Sequence, residues 1–296
     1  MTTKKHPILK GLIGLCVALF LFFFVAIFFS SFIGKESNLS LGEKIGVVPI
    51  TGVIIDSLDI IDQLHEFKKN NKVKAIVVRI DSPGGGVGPS QEIYEEIKKI
   101  KKEKKVIASI GSLGASGGYY VACACDTIVA NSGAITGSIG VIVEYANFEE
   151  LLDKIGLKGV VLKSGKYKDV MSPIREMTDE EKNLLQAVVD DIHHQFVSAV
   201  VYSRHLTKEQ GEAIADARIF TGAQAKAFGL VDRLGNFRDA VDIAAKLGGI
   251  KGEPELIYPK KKLSFLDYFV GEETLHKWEE VLYFPYRFSY LSSFNR

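Results

Sequence analysis

Cysteine is scarce in this chain, three in 296 residues, too few to frame a fold with disulfides. Charge of one sign is not in excess either. The 37 Lys and Arg stand against 36 Asp and Glu, so nothing suggests a generally basic, nucleic-acid-binding surface, and no nucleic-acid partner is expected. Gly-Lys-Ser/Thr and the G-x-G-x-x-G spacing are both missing, which argues against a phosphate cradle and nucleotide binding. His193 and His194 adjoin in a predicted helix, but no close-spaced Cys, Asp or Glu completes a ligand set, so no metal or cofactor is expected. No full-length repeat is found. At 25% charged and 47% hydrophobic residues, wholesale disorder is excluded, and the length suits one large domain or two modest ones.

What the chain has in abundance is an apolar N-terminus. From Gly11 to Ile33 no charge interrupts a run rich in Phe and Leu. As a helix it would span roughly 35 Å, enough to cross a hydrocarbon core of about 30 Å with some tilt. Lys4, Lys5 and Lys10 precede it, whereas Lys35 and Lys44 beyond it are balanced by Glu36 and Glu43. The positive-inside rule expects residues 1–10 in the cytoplasm, an anchor over 11–33 in the cell membrane, and the rest outside. A cleaved signal peptide is the competing reading. The run exceeds the usual 7–15 residues of a signal core, and its exit, Phe28 to Ile33, is bulky except for Ser30 and Ser31. Cys16 follows Leu15 where a lipoprotein site wants a small residue, so it reads as a lipid-facing hydrophobe.

Residues 34–44 read as a linker, 45–250 as the main domain, and 251–296 as an aromatic-rich tail able to dock on the domain, a partner or the membrane interface. Apolar β-branched runs predict strands at Ile45–Ile55, Val73–Ile80, Val106–Ile110, Thr127–Ala130, Ile139–Val143 and Val160–Leu162. Amphipathic stretches predict helices at Asp56–Asn70, Pro89–Lys105, Asn147–Ile155, Thr178–Arg204, Thr207–Ala215, Gly222–Phe228 and Phe237–Lys246. The alternation argues an α/β architecture with largely parallel strands. Cys123 and Cys125 lie two apart in a predicted helix with side chains pointing apart, and read as core filler.

Three glycine-rich turns follow apolar runs: Asp81–Gly86 (DSPGGG), Gly114–Gly118 (GASGG) and Thr136–Gly140 (TGSIG). Ser116 opens a predicted helix, where unpaired N–H groups suit an attacking oxygen and a developing oxyanion; an ordinary N-cap serine is the plainer reading. A nucleophilic serine needs a base. Gly114–Gly118 satisfies G-x-S-x-G, but the later histidines, His193, His194, His205 and His276, lack a catalytic-loop context. A lysine in Ser164–Asp169 (SGKYKD) is the other candidate. With a reference pKa near 10.4, roughly one lysine in a few thousand is neutral at pH 7, so such a base requires desolvation or a neighbouring cation.

In this order and spacing the motifs resemble the bacterial signal peptide peptidase A proteases, membrane-anchored Ser/Lys enzymes of the ClpP/crotonase-type fold, a spiral of β-β-α units. The likeness runs from about Lys44 to Gly249 and includes ASGGYY at 115–120, MSPIREMT at 171–178 and FTGAQAKAFGLVD at 220–232. It implies Ser116 as nucleophile, Lys168 as general base, Ser138 as the residue orienting that lysine, and the N–H groups of Gly85 and Gly117 as the oxyanion hole. Lys166 is then dispensable. It further implies remnant signal peptides and unfolded protein as substrates, and a homo-oligomeric ring, often an octamer, whose neighbouring subunits share each site. A crotonase-like acyl-CoA enzyme and a catalytically silent membrane scaffold of the same fold are the alternatives.

Overall fold

The computed structural model describes Leu15, Val17, residues 19–25, residues 42–259 and the backbone of 288–291. The described residues of the N-terminal run are helical and exposed. The rest of the expected 11–33 anchor, Cys16 included, lies outside the described residues. Among the described residues no helix is long and apolar enough to cross a membrane.

Runs of Val and Ile, stiff at χ1 and suited to a pleated surface, build the central sheet. Its strands are β1 (Lys44–Thr51), β2 (Val73–Ser82), β4 (Lys105–Ala115), β5 (Thr127–Ala130), β9 (Arg233–Leu234) and β10 (Glu255–Ile257). They lie in the order β10-β1-β2-β4-β5-β9, every neighbouring pair parallel. The sheet therefore extends beyond residue 250 into the C-terminal segment. At one end, β6 (Ile135–Gly137) continues alongside β4, and β8 (Ile219–Thr221) runs antiparallel to β6. A smaller sheet holds β3 (Gly84–Gly86), β7 (Ile142–Val143) and β11 (Phe288–Leu291).

Parallel strands need crossovers, and helices supply them. α1 (Leu58–Lys69) links β1 to β2; α2 (Val87–Ile100) links β3 to β4; α3 (Gly117–Cys123) follows β4. After α4 (Glu149–Lys154) comes the long α5 (Asp179–Arg204), then α6 (Lys208–Ile214), α7 (Gly222–Ala227) and α8 (Phe237–Gly248). The period of two in β2 sorts its side chains between two cores. Ile76, Val78 and Ile80 join Leu64, Ile93, Tyr119 and Phe196 on one side. Ala75 and Val77 meet Ala240, Val241 and Ala244 of α8 on the other. Within the first core Tyr120 packs between Tyr94 and Phe196, with ring centroids 4.7 and 4.9 Å away, which ties α3 to α2 and α5.

Two predicted strands differ from what forms. Among the described residues Val160–Leu162 pairs with no strand, and Val160 and Leu162 are 83% and 96% exposed. Their apolar character serves neither core of the described residues. Ile139–Val143 shortens to β7, because Ser138 takes φ 52° and spends its N–H on the Arg218 carbonyl, which turns the chain before a ladder can start. Cys123 and Cys125 are buried free thiols, and burial pushes the Cys123 thiol up to about 12, so it stays protonated and inert.

Candidate active site

Strand β4 ends at Ala115, and helix α3 begins at Gly117. The residue between them, Ser116, has φ 54° and ψ −119°, a backbone state in which an L-residue is strained. Its N–H donates to the Gly137 carbonyl at 2.8 Å and its own carbonyl accepts from Tyr120 N–H at 2.8 Å, so both ends of the kink are held. The serine is 1% exposed, and its side chain makes no capping hydrogen bond to the helix it precedes. The hydroxyl is thus not consumed in the ordinary N-cap role.

The DSPGGG turn is brought against this serine by hydrogen bonds from three directions. The Asp81 carboxylate accepts from the Leu113 N–H at 3.1 Å, fixing the start of the turn to the end of β4. Ser90 Oγ donates to the Gly86 carbonyl at 2.8 Å. Ile54 N–H donates to the Gly84 carbonyl and its carbonyl accepts from the Gly86 N–H, both at 2.8 Å. These last two bonds occupy the polar groups on one edge of β3 and leave those of Gly85 for the other edge. Glycine is required here by contact. A Cβ on Gly85 would stand 2.1 Å from the Ile54 carbonyl oxygen, and one on Gly117 would stand 2.6 Å from Ser90 Oγ and 3.2 Å from Gly85 N. Gly85, Ser116 and Gly117 therefore converge.

The other edge of β3 is where β11 lies. Tyr290 is opposite Gly85 in antiparallel register, and on its far side β11 pairs antiparallel with β7. An extended backbone thus runs between two strands directly beside the serine turn. Ser138 sits one residue past Gly137, to which Ser116 is bonded; it is 8% exposed and also has positive φ.

Lys168 is placed differently. It is exposed, and no hydrogen bond joins it to Ser116 or Ser138 among the described residues. Its backbone closes a turn onto Gly165, and the next residue, Asp169, is bonded to Lys163 Nζ at 2.5 Å and Arg175 Nε at 2.8 Å. Arg175 also grips Glu181 at 2.6 Å. This hub holds the Glu181 carboxyl down at about 2 and the Asp169 carboxyl well below the usual range, through hydrogen bonds from Arg175 in each case. Lys166, two residues before Lys168, pairs with Glu180, which raises its pKa and keeps it protonated. Lys168 has no such carboxylate among the described residues.

A serine on a strained strand-to-helix turn, with two glycine N–H groups beside it and an extended-peptide groove alongside, has the parts needed for acyl transfer. The sequence profile of peptidase family S49 matches residues 98–251. The chain belongs to peptidase family S49. The Clp protease profile matches residues 47–131 of the same chain, in keeping with its mixed α/β, ClpP-like domain. A candidate protease of Synechocystis sp. is 48% identical over 71% of this chain and 76% of its own length. A candidate signal peptide peptidase SppA of Enterococcus faecium is 32% identical over 86% and 78%. Protease 4 of Salmonella typhi is 33% identical over 79% of this chain, which spans 38% of that longer protein. This S49 chain is a serine peptidase of the SppA group. Three parts of its site had not been anticipated: the Ile54 bridge, Ser90, and the strand from the tail. Of these only the tail carried a sequence signal, its aromatic run.

Proposed function

We propose that this S49 chain is a membrane-anchored serine endopeptidase that cuts remnant signal peptides, and unfolded protein, by a Ser116/Lys168 dyad. The observation that carries the reading is the state of Ser116, buried on a strained turn beside Gly85 and Gly117 with its hydroxyl free of capping. The pairing of β11 between β3 and β7 supports an extended peptide as substrate, since main-chain ladders on both sides give affinity without dictating sequence.

In this mechanism Ser116 Oγ attacks the scissile carbonyl while Lys168 Nζ takes its proton. Ser138 holds the lysine in place, and the Gly85 and Gly117 N–H groups meet the oxyanion. The lysine passes the proton to the leaving amine, and water then releases the acyl group from the serine. A lysine base works only when unprotonated, so the rate rises from pH 6 towards pH 9.

The exposure of Lys168 supports a site completed by another copy of the chain. Before it in the chain, Ile155, Leu157, Val160 and Leu162 are exposed apolar side chains that self-association in a ring would cover. The uncharged run from Gly11 to Ile33, with its lysines on one flank, supports a single-pass anchor in the cell membrane with the N-terminus cytoplasmic.

The test is peptide hydrolysis by Ser116→Ala, by Lys168→Ala, and by a co-assembled mixture of the two. Both single variants are inactive and the mixture recovers activity if the dyad is shared between copies. Activity in Lys168→Ala alone would sink the dyad.

A further inference from the structure

The charge of this chain is balanced overall but not locally. Residues 68–74 and 98–105 carry ten lysines and a single acid, Glu103, in a chain whose formal charge is +1. The fold gathers both stretches at one end of the sheet. The register sets Lys44 beside Val73 and Ala75 beside Lys105, so the starts of β1, β2 and β4 lie together. The basic last turns of α1 and α2 arrive at the same end.

Lysines at helix C-termini are ordinarily explained by the helix dipole. That explanation is too small here. Each terminus supplies about half a negative charge, and Lys72, Lys74, Lys104 and Lys105 stand at or next to strand starts. Internal pairing does not absorb the excess either. Lys68, Lys98, Lys99 and Lys105 have carboxylate partners at 2.8 to 3.1 Å, and Lys74 has Glu43 at 3.7 Å. Lys69, Lys72, Lys101 and Lys102 have none among the described residues. Between the strand starts and the end of α8 is a hollow of about 500 Å³, whose charged lining is Lys74, Lys101, Lys102, Lys104 and Lys105 with one acid, Glu103. Lys104 turns its ammonium inward onto the Phe67 and Asn70 carbonyls, 2.7 Å from each, and so braces the floor.

We propose that this lysine-rich end is a docking surface for the anionic headgroups of a lipid bilayer. Charge complementarity favours clustered phosphates, and the chain's path favours a membrane as their source. The domain begins at this end: Lys44, the first residue of β1, donates its N–H to the Lys72 carbonyl at 2.8 Å. Ten residues, 34–43, lead back from there to the apolar run, a tether of at most about 36 Å. The tether rests on the anchored reading of the N-terminus; the lysine surface does not. Strand β4 starts at Lys105 on this surface and ends one residue before Ser116, roughly 35 Å away along the strand. Docking in this manner holds the nucleophile well clear of the headgroups, so a peptide must be drawn out of the bilayer to reach it.

The test uses the protein from Gly42 onward, which contains both apolar cores in full. It is sedimented with vesicles of phosphatidylcholine, with or without about one-third phosphatidylglycerol, at low salt and at about 0.5 M salt. The expected result is binding to the anionic vesicles that is roughly tenfold or more tighter, abolished by salt and by Lys101→Glu/Lys102→Glu. The milder Lys101→Gln/Lys102→Gln weakens it by less, and Lys182→Glu/Lys208→Glu, on other helices, leaves it unchanged. Equal binding to both vesicle types, or full binding by the Lys101/Lys102 variants, overturns the proposal. So does preference for soluble polyphosphate with no vesicle binding, which would assign the surface to a soluble polyanion. Hydrolysis of a short soluble peptide reads the active site separately: it survives the Lys101/Lys102 changes, whereas Ser116→Ala abolishes hydrolysis and still binds vesicles.

Discussion

The N–H of Ser116 donates to the carbonyl of Gly137, which joins the end of β4 to the end of β6 and sets two serines with positive φ, Ser116 and Ser138, side by side in the fold. Strain at the Ser116 turn is tolerated because the surroundings over-determine it. Replacing Ser116 by glycine relieves the strain, while alanine keeps it. Both variants are inactive, and Ser116→Gly is expected to be more stable than Ser116→Ala by about 1–2 kcal/mol. Paired thermal melts check this; equal melting temperatures would count against strain at the turn.

Gly85 and Gly117 are not equivalent. An alanine at Gly85 meets backbone at 2.1 Å, which cannot move cheaply, whereas at Gly117 it first meets the Ser90 hydroxyl at 2.6 Å. Gly85→Ala is expected to lose folded protein. Gly117→Ala is expected to fold and to lose on the order of 10²-fold in kcat, the usual cost of a disturbed oxyanion donor. Circular dichroism beside kinetics separates the two outcomes.

The strand β11 occupies the edge of β3 that a substrate would need. Ending the chain after Pro259 is therefore expected to raise kcat/KM for a short peptide severalfold, mainly through KM. Unchanged KM in the shortened protein would show that the tail does not compete.

Glu181 has its folded-state pKa lowered to about 2 from an ordinary 4.5, chiefly by Arg175. A lowered carboxyl stabilises the fold above its unfolded pKa, and the contribution fades as pH falls from about 4.5 towards about 2. Protease nicking of residues 163–181 is expected to appear over that interval. Arg175→Gln should move its onset to higher pH; an unmoved onset would remove the hub from the account.

Much of this was legible in sequence, for physical reasons that differ by element. The Val and Ile runs of β1, β2 and β4 are long enough to show a strand, and Thr178 with Glu181 forms the capping box that marks the start of α5. Strands β8, β9 and β10 have two or three residues each, too few for any period. Val160–Leu162 misled because an apolar run reports hydrophobicity and not what covers it, and here Val160 and Leu162 stay 83% and 96% exposed. At the candidate site, Ser116, Gly85, Gly117 and Ser138 stand out in the sequence through their glycine-rich turns, and their roles come from resemblance alone. Ile54 could not, since its bonds to Gly84 and Gly86 join segments about thirty residues apart, and Ser90 could not, since its bond to Gly86 looks like any serine one helical turn on.

The bonds from Asp169 to Arg175 and Lys163 have a consequence for assembly. With the Arg175 guanidinium also on the Asp169 carbonyl, at 3.1 Å, and Ser172 N–H on the same oxygen, at 3.0 Å, the segment bearing Lys168 is fixed within a single chain. Ordering a residue's backbone costs about 1–2 kcal/mol of conformational entropy, and here that cost falls on folding and not on association. Any partner that docked on this segment would meet a surface already shaped, with little subtracted from its affinity for ordering the loop.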